Sequence, residues 1–548
     1  MKLPPNTTEK PPLSSQEIID DLQKKLAEKE KKEAHYLNVI KAKELELKLL
    51  HEKFRLEMAR RYGPKSEQLS EDERKQLSLF DEDGDINQSE QDAIKDDEIE
   101  ITVPAHTRKR KVGKKSFPDH LPRIDVIHDL VEEDKICHCG ECLKSIGEDI
   151  TEQLDIIPMQ VKVIRHIEKK YACSKFEEHG VVQAKKPVSI LGKSRGTAKS
   201  VAHVAVMKYQ HHLPLYRQEQ MFKQLDIHLP RKTLCHWLIK ASRGLESFFE
   251  VFQQHLLQCN YLQADETPMK MLKPPEPGKN IKQGYIWVYR GKIKGHTIAL
   301  VQAKWSRAST HLLTQLDTFE GVIQSDGYIA YEILAKANPN IHLVSCLAHI
   351  RRKFYELVQL QKKSKQKQKN KVGKAQQALS MIEKLYKADH LAAKQSLNTE
   401  QRLALRTEYN LEENLKAFQA WCEKSINQVP PKSGIGKAIA YAVRFLPKLK
   451  LCITRGDIEL DNNLAENLVR PIALGRKNFL FLGAESGMQA ASTFYSLVQT
   501  CKANQMNAFE YLSYLISTIT RHDSTEELNK LMPFHSEMVE KFQLKKSS

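Results

Sequence analysis

The chain has 548 residues, 41% of them hydrophobic, with a formal net charge of +17 and a pI near 9.2. That length allows about three domains with proper cores, and the charge favours a polyanionic partner, nucleic acid ahead of an anionic membrane surface. No apolar run approaches the ~20 residues of a membrane span, and Met1 to Thr8 offers no apolar signal core, so secretion is not expected. Four of the ten cysteines cluster between Cys137 and Cys173, and the other six (Cys235, Cys259, Cys346, Cys422, Cys452 and Cys501) are scattered singly. That pattern excludes a disulfide framework and fits a metal cluster plus buried thiols in a reducing cytosol.

Residues 14–62 contain neither Pro nor Gly, and Ser14-Ser15-Gln16-Glu17 offers a capping box. With Ile19 at heptad position a, eight of thirteen a and d positions are apolar, among them Leu22, Leu26, Ile40, Leu47, Leu50 and Phe54. The pattern predicts a coiled-coil helix with an interrupted seam, a modest dimerisation element. Residues 63–104 read as a disordered acidic linker, because positions 81–100 carry ten acids, one lysine and no aromatic residue. The sign then reverses. Arg108, Lys109, Arg110, Lys111, Lys114 and Lys115 place six cations in eight residues, a run that engages phosphates without reading sequence.

Residues 105–190 combine this basic arm with a zinc-knuckle-like module. Structural zinc takes four N or S ligands, commonly as two short-spaced pairs. Cys139 with Cys142, or Cys137 with Cys142, supplies one knuckle and Cys173 begins a second. His179 or the extra Cys137 can complete the set; a metal-free knuckle held by its apolar residues is the alternative.

From 191 to 250 the pattern is helical: Val201–Tyr209, Arg217–Leu225 and Arg231–Lys240, separated by short turns. Helix, turn, helix with Arg231 and Lys232 opening the last helix resembles a helix-turn-helix. A three-helix bundle packed on its neighbours has the same spacing. The period then changes. Tyr261–Asp265, Ile281–Arg290 and His296–Ala303 read as strands, the last two joined by Gly291–Gly295. Ser309–Phe319 is a helix, Val322–Asp326 a strand, Tyr328–Ala337 a helix, Ile341–Cys346 a strand and Leu347–Leu360 a helix. This βββαβαβα order over 255–360 matches the α/β ribonuclease-H-like fold, in which the first and fourth strands are neighbours at the sheet centre. Residues 361–455, opening with seven lysines between Lys362 and Lys374, read as an inserted α-helical domain whose first part either faces DNA or is a solvated loop. Residues 456–520 resume the core with a helix carrying Glu466, and 521–548 form a C-terminal tail.

Asp265 and Asp326 each close a predicted strand, and Glu466 sits near the start of a helix. Two such aspartates and a helical glutamate can hold two divalent ions about 3.5–4 Å apart, the arrangement that activates an oxygen nucleophile and relieves charge on the leaving oxygen of a phosphodiester. Mg²⁺ prefers a few carboxylates plus water and phosphate, with Mn²⁺ able to substitute. Asp265 would bridge the two ions, with Asp326 on one and Glu466 on the other. Glu266 alternates to the other side of its strand and reads as a salt-bridge residue.

The blocks Ala264-Asp265-Glu266-Thr267-Pro268, Ser325-Asp326-Gly327-Tyr328, Cys346-Leu347-Ala348-His349-Ile350-Arg351-Arg352-Lys353-Phe354 and Asp461-Asn462-Asn463 through Glu466 to Gly475-Arg476-Lys477-Asn478-Phe479 resemble a DDE transposase of the insertion-sequence-66 family. Arg60 to Glu67 and Leu213 to Arg217 carry the likeness further, so that it covers the chain from about residue 40 to the C-terminal helices. The resemblance implies that the chain cuts at the ends of an insertion element and joins them to target DNA, with Asp265, Asp326 and Glu466 as catalytic triad. It implies DNA partners (terminal inverted repeats and target), a homo-oligomer of at least two chains, and accessory proteins of the same element. It makes His349, Arg351 and Arg352 candidates to orient a ligand or hold phosphates, and Arg476 and Lys477 candidates to grip terminal phosphates. Where the family pattern expects another cysteine after Cys173, this chain has Phe176. Two competing readings are a non-catalytic DNA-binding repressor, which loss of a triad member would favour, and a simple nuclease.

Overall fold

The structure, a computed structural model, describes residues 161–172, 181–184, 187–272, 281–363, 373–522 and 524–544, with isolated positions between 29 and 50. The acidic linker, the basic run Arg108–Lys115, and Cys137, Cys139, Cys142 and Cys173 lie outside the described residues. The isolated positions are helical, and Ile40, Leu47 and Leu50 of the heptad seam are exposed. Two short antiparallel strands, β1 (Lys170–Ala172) and β2 (Val181–Gln183), flank the segment that begins with Cys173.

Four helices follow: α1 (Ala198–Tyr209), α2 (Leu215–Gln224), α3 (Arg231–Gly244) and α4 (Glu246–Leu257). Thr197 caps α1 by accepting from the Ser200 amide at 3.2 Å. Pro214 and Pro230 stand just before α2 and α3, where a residue without an amide proton interrupts one helix and opens the next. α3 buries Leu234, Trp237, Leu238 and Ala241 and leaves Arg231, Lys232, Cys235 and His236 exposed. The apolar faces of these helices belong to the same core as the sheet behind them.

That sheet has the order β5-β4-β3-β6-β7, from β3 (Tyr261–Leu272), β4 (Ile281–Ile293), β5 (His296–Lys304), β6 (Gly321–Ser325) and β7 (Ile341–Ser345). β3, β4 and β5 are antiparallel, whereas β6 and β7 run parallel to β3. The β4–β5 hairpin turns on Lys294-Gly295 alone, with φ of 48° and 87°, a turn whose twist matches its strands. β4 therefore runs three residues past Arg290, where the sequence places its end. Helices α5 (Ser309–Gln315) and α6 (Ile329–Ala337) connect the parallel strands, and α7 (Leu347–Lys363) follows β7.

α8 (Lys374–Lys394), α9 (Thr399–Glu408), α10 (Leu411–Ile426), α11 (Gly434–Phe445) and α12 (Leu451–Thr454) occupy the segment expected as a helical insertion. With α7 they form a second core around Ile350, Phe354, Phe418 and Phe445, joined by Val322 and Val344 of the parallel strands. α13 (Asn463–Phe479) carries Glu466 back to the sheet, and α14 (Glu485–Ala503) and α15 (Ala508–Thr518) complete the first core.

α14 solves the problem of the free sheet edge. Ser492, Ser496, Thr500 and Asn504, at four-residue spacing, accept from the β5 amides of Ala303, Val301, Ala299 and Thr297 at 3.0, 2.8, 3.0 and 2.8 Å. Ser496, Thr500 and Asn504 also donate back to the carbonyls of Val301, Ala299 and Thr297. A helix thus stands in for the missing neighbouring strand, and this explains a line of buried polar side chains on an interior helix.

The segment expected as a tail instead forms α16 (Thr525–Lys530) and α17 (Ser536–Phe542), which bury Leu528, Leu531, Met532, Phe534, Met538 and Val539. Apolar residues at helical spacing outweigh the chain-end position. No helix among the described residues is long and apolar enough to cross a membrane.

α13 ends at Leu480, whose φ of 62° and ψ of −37°, with the Phe481 amide bonded to the Phe479 carbonyl at 2.7 Å, make a strained γ-turn. The Leu480 side chain is exposed, so packing does not compensate the backbone strain. Leu480→Gly is therefore expected to raise stability by about 1 kcal/mol in a urea melt; a loss would show that the side chain has a packing role.

Candidate active site

β3 and β6 are paired in parallel with Gln263 level with Gln324. Continuing that register by two residues brings Asp265 level with Asp326. The paired register stops at Gln263 and Gln324, while β3 continues to Leu272 against β4, with one further parallel bridge from Met271 to Leu482 near its end. Asp265 therefore lies inside its strand rather than closing it as the sequence suggests. The site opens where the parallel neighbour leaves, at the carboxyl end of β6. Asp326 is held there by its own turn: Oδ1 accepts from the Tyr328 amide at 2.9 Å, and Gly327 takes φ of 89°, with a Cβ there reaching 2.5 Å from the Phe445 ring. The Asp326 carbonyl accepts from Tyr441 Oη at 2.8 Å, which ties the turn to α11. Asp265 Oδ1 accepts from the Glu266 amide at 2.9 Å.

Glu466 reaches this end of the sheet because buried amides fix the chain ahead of α13. Gln263 and Gln324 are fully buried in the two central strands, and Gln263 Nε2 donates to Gln324 Oε1 at 3.0 Å. Gln263 Nε2 also donates to the Asp461 carbonyl at 2.9 Å, and Gln324 Nε2 to the Glu459 carbonyl at 2.9 Å. Asn462, likewise buried, donates from Nδ2 to the Ala264 carbonyl at 2.9 Å and from its amide to Cys346 Sγ at 3.1 Å. The Leu347 amide donates to the Leu460 carbonyl at 2.9 Å. Residues 459–462 are thus bonded to β3, to β6 and to the start of α7, and the first turn of α13 follows immediately.

Glu466 Oε2 accepts from Arg352 at 3.3 Å, and Oε1 lies 3.6 Å from His349 Nδ1. Among the described residues, Cys346, His349 and Glu466 are the one set of three potential ligands whose donor atoms all lie within 4.8 Å of one another. Asp265 is linked by charge to both Glu466 and Asp326. Burial, then the charges of Glu266, Glu466 and Asp326, push the Asp265 carboxyl up to about 8, against the opposing Glu266 amide. An acid held protonated near neutral pH by burial and by neighbouring acids is a place where a hard cation fits, since it would offset the charge of all of them. Glu466 Oε1 is buried with no hydrogen-bond partner.

Glu266 forms an ion pair with Arg307, which donates from Nε at 2.8 Å and also from Nη2, and it accepts from Tyr331 Oη at 3.1 Å. The guanidinium stacks 3.6 Å from the Tyr328 ring centroid. Burial and the Asp326 charge nonetheless hold the Glu266 carboxyl above its usual range. This pair agrees with the salt-bridge role expected for Glu266. Arg307 was not singled out by the sequence, since nothing local marks a residue after β5 as the partner of one in β3.

The candidate basic residues separate. Arg352 faces Glu466, whereas Arg351 is turned toward Tyr355, with its guanidinium 5.5 Å from that ring, and burial lowers its pKa. Arg476 donates to Thr267 Oγ1 at 2.8 Å and to the Pro268 carbonyl at 2.5 Å, so it fastens α13 to β3. Lys477, Arg231 and Lys232 are exposed. Burial pushes the Asp461 carboxyl up to about 7, opposed by the Asn463 amide bonded to its Oδ1 at 3.0 Å.

Comparison with known proteins gives concordant results. The model described as "Transposase IS66 family" matches residues 193–490, a span holding Asp265, Asp326, Glu466 and the whole sheet. Three further models match around it: "Transposase C of IS166 homeodomain" at 49–126, "zinc-finger binding domain of transposase IS66" at 134–175 and "IS66 C-terminal element" at 496–534. Uncharacterized protein y4qI of Sinorhizobium fredii is 31% identical over 438 residues, covering 77% of each chain. Uncharacterized protein y4jD of the same organism is 31% identical over 431 residues, covering 76% of this chain and 81% of its own. With more than half its length matched by one family model and two thirds or more of similar relatives covered, the chain belongs to the IS66 transposase family.

Proposed function

We propose that the chain is a DDE-type DNA transposase with a ribonuclease-H-like core. It binds the ends of an insertion element, cleaves them by metal-dependent phosphodiester hydrolysis and joins the freed 3′-hydroxyls to target DNA. The observation that carries this reading is the register of β3 on β6, which brings Asp265 level with Asp326 at the one place where the central strands part. The strand order, with three antiparallel strands continued by two parallel ones, supports the fold assignment.

Asp265, Asp326 and Glu466 are the residues that would hold two Mg²⁺ ions, or Mn²⁺ in their place. Bound there, the metal would supply charge relief at the scissile phosphate and a more reactive oxygen nucleophile. The protein's own part is rigid placement. The Tyr328 amide and Tyr441 hydroxyl fix the turn that carries Asp326, the Gln263–Gln324–Asn462 network sets where α13 begins, and Arg307 keeps Glu266 engaged away from the phosphate. Arg352 and Lys477 are suited to bind DNA phosphates beside the triad, and Arg231 and Lys232 to bind them on the exposed end of α3. A zinc ion on Cys137, Cys139, Cys142 and Cys173 would order a DNA-binding module, with Arg108–Lys115 tracking the backbone. The exposed seam residues Ile40, Leu47 and Leu50 suit pairing with a second copy of the chain.

The experiment is a strand-transfer assay on DNA carrying the element's ends, with Mg²⁺, comparing the natural chain with Asp326→Asn. A transposase nicks and joins, and the variant binds DNA but does neither. Binding without cutting by the natural chain would leave a repressor, and cutting without joining a nuclease.

A further inference from the structure

We propose that Cys346, His349 and Glu466 form a separate binding position for a thiophilic divalent ion, Zn²⁺ or Co²⁺ rather than Mg²⁺, and that filling it holds Glu466 away from the two aspartates. The second clause rests on the triad reading above; the first does not.

The position is preformed by backbone. Cys346 immediately precedes α7, and His349 is three residues on, so both side chains lie on one side of that helix start. Glu466 comes from the first turn of α13. The two helix starts are tied by the Leu347 amide on the Leu460 carbonyl at 2.9 Å and by the Asn462 amide on Cys346 Sγ at 3.1 Å. One donor atom from each of the three residues already lies within 4.8 Å of the others. Zinc bonds of about 2.0–2.3 Å place neighbouring ligands roughly 3.5 Å apart, so shifts of about 1 Å close the set.

Two polar atoms at this spot face each other beyond hydrogen-bond distance. His349 Nδ1 and Glu466 Oε1 are both buried without a hydrogen-bond partner, 3.6 Å apart. Buried polar atoms without partners are costly, and an ion between them satisfies both. Arg352 takes the other oxygen, Oε2, and leaves Oε1 available. One sulfur, one nitrogen and one oxygen donor suit zinc or cobalt, whereas Mg²⁺ takes oxygen ligands. Three protein ligands leave a fourth position for water. The Asn462 amide on the sulfur is the kind of outer hydrogen bond that orients a metal-bound thiolate.

The test is titration of the full, chelator-stripped chain with Co²⁺, without DNA or Mg²⁺, following thiolate-to-cobalt charge-transfer absorption. Cysteines between 137 and 173 contribute equally to every variant and cancel in difference spectra. The natural chain minus Cys346→Ser is expected to show a thiolate–cobalt band, and Cys346→Ser to bind one Co²⁺ fewer. His349→Ala is expected to weaken that site by at least about tenfold; its half-buried side chain makes it the variant to rely on should Cys346→Ser fail to fold. Superimposable spectra and equal stoichiometry for folded variants would overturn the site. In a second arm, Zn²⁺ added to Mg²⁺-supported cleavage should inhibit the natural chain more than Cys346→Ser. Equal inhibition of both would overturn the effect on Glu466 while leaving the cobalt result to stand by itself.

Discussion

Asp265→Asn is expected to abolish metal-supported cleavage while making the metal-free fold more stable. In the folded chain burial, then the charges of Glu266, Glu466 and Asp326, hold the Asp265 carboxyl at about 8, against a reference value of 3.8. Between about pH 4 and 8 the folded state keeps a proton that the unfolded chain releases, so stability falls as pH rises through that window and levels off above it. The asparagine variant has no such proton. Its gain should be close to zero below about pH 4 and reach on the order of a few kcal/mol at pH 8. Asp461, pushed up to about 7 in the same direction, leaves the variant with a reduced slope rather than none. The measurement is urea unfolding of both chains across this range in chelator. Activity should move the opposite way, falling at least about 10³-fold, as for removal of a charge-stabilising group from a preorganised site. Residues that act as a unit are not additive, so Asp265→Asn with Asp326→Asn should be no slower than either alone. A variant that lost stability at pH 8 would show that Asp265 is a structural carboxylate.

Arg406→Ala is expected to cost the most stability of any single change, about 3–5 kcal/mol. Arg406 is buried at 1% side-chain exposure on α9, yet every part of its guanidinium is used. Nε and Nη2 donate to Asp389 of α8 at 3.0 and 3.1 Å, Nη1 to the carbonyls of Cys452 and Arg455 at 2.9 and 3.0 Å, and Nη2 to that of Ile458 at 2.9 Å. Burial raises the pKa of Asp389, and Arg406 is the charge that opposes it most. Without the arginine the buried Asp389 keeps only the Arg402 guanidinium at 4.0 Å, and three carbonyls lose their donor. These carbonyls belong to the segment that leads through residues 459–462 into α13, so the loss should also loosen the placement of Glu466. Arg406→Met combined with Asp389→Asn should cost less than Arg406→Ala, because no charge is then stranded. The urea midpoint at unchanged slope reads the difference, and a shift below about 1 kcal/mol for Arg406→Ala would contradict this account.

The site was legible where chemistry and period coincide. Asp265 and Asp326 follow short apolar runs, which read as strands, and the βββαβαβα order is what makes them neighbours at the sheet centre. The sequence nevertheless puts Asp265 at a strand end, because the apolar run it closes stops at Ala264. In the fold Pro268 pairs in register with Tyr285 on β4, and it is the departure of β6 that opens the site. Gln263 and Gln324 were visible as polar residues inside apolar runs, a pattern that demands buried partners. Those partners lie 198 and 135 residues away, at Asp461 and Glu459, and nothing local names them. The stripe Ser492, Ser496, Thr500 and Asn504 is written in the sequence at helical spacing. Its meaning needs the strand order, since only an edge at β5 gives those side chains amides to accept from. The orientation of Glu466 toward His349 and Arg352 could not be read at all, because it depends on how two helix starts meet.

The most direct test of the central claim is anomalous diffraction from crystals of the full chain soaked in Mn²⁺ with DNA representing the element's end. The account predicts anomalous density between the Asp265 and Asp326 carboxylates, with Glu466 turned in to share it, and loss of that density in Asp326→Asn. Mn²⁺ bound elsewhere, or density at the two aspartates that persists unchanged in Glu466→Gln while strand transfer also persists, would contradict it.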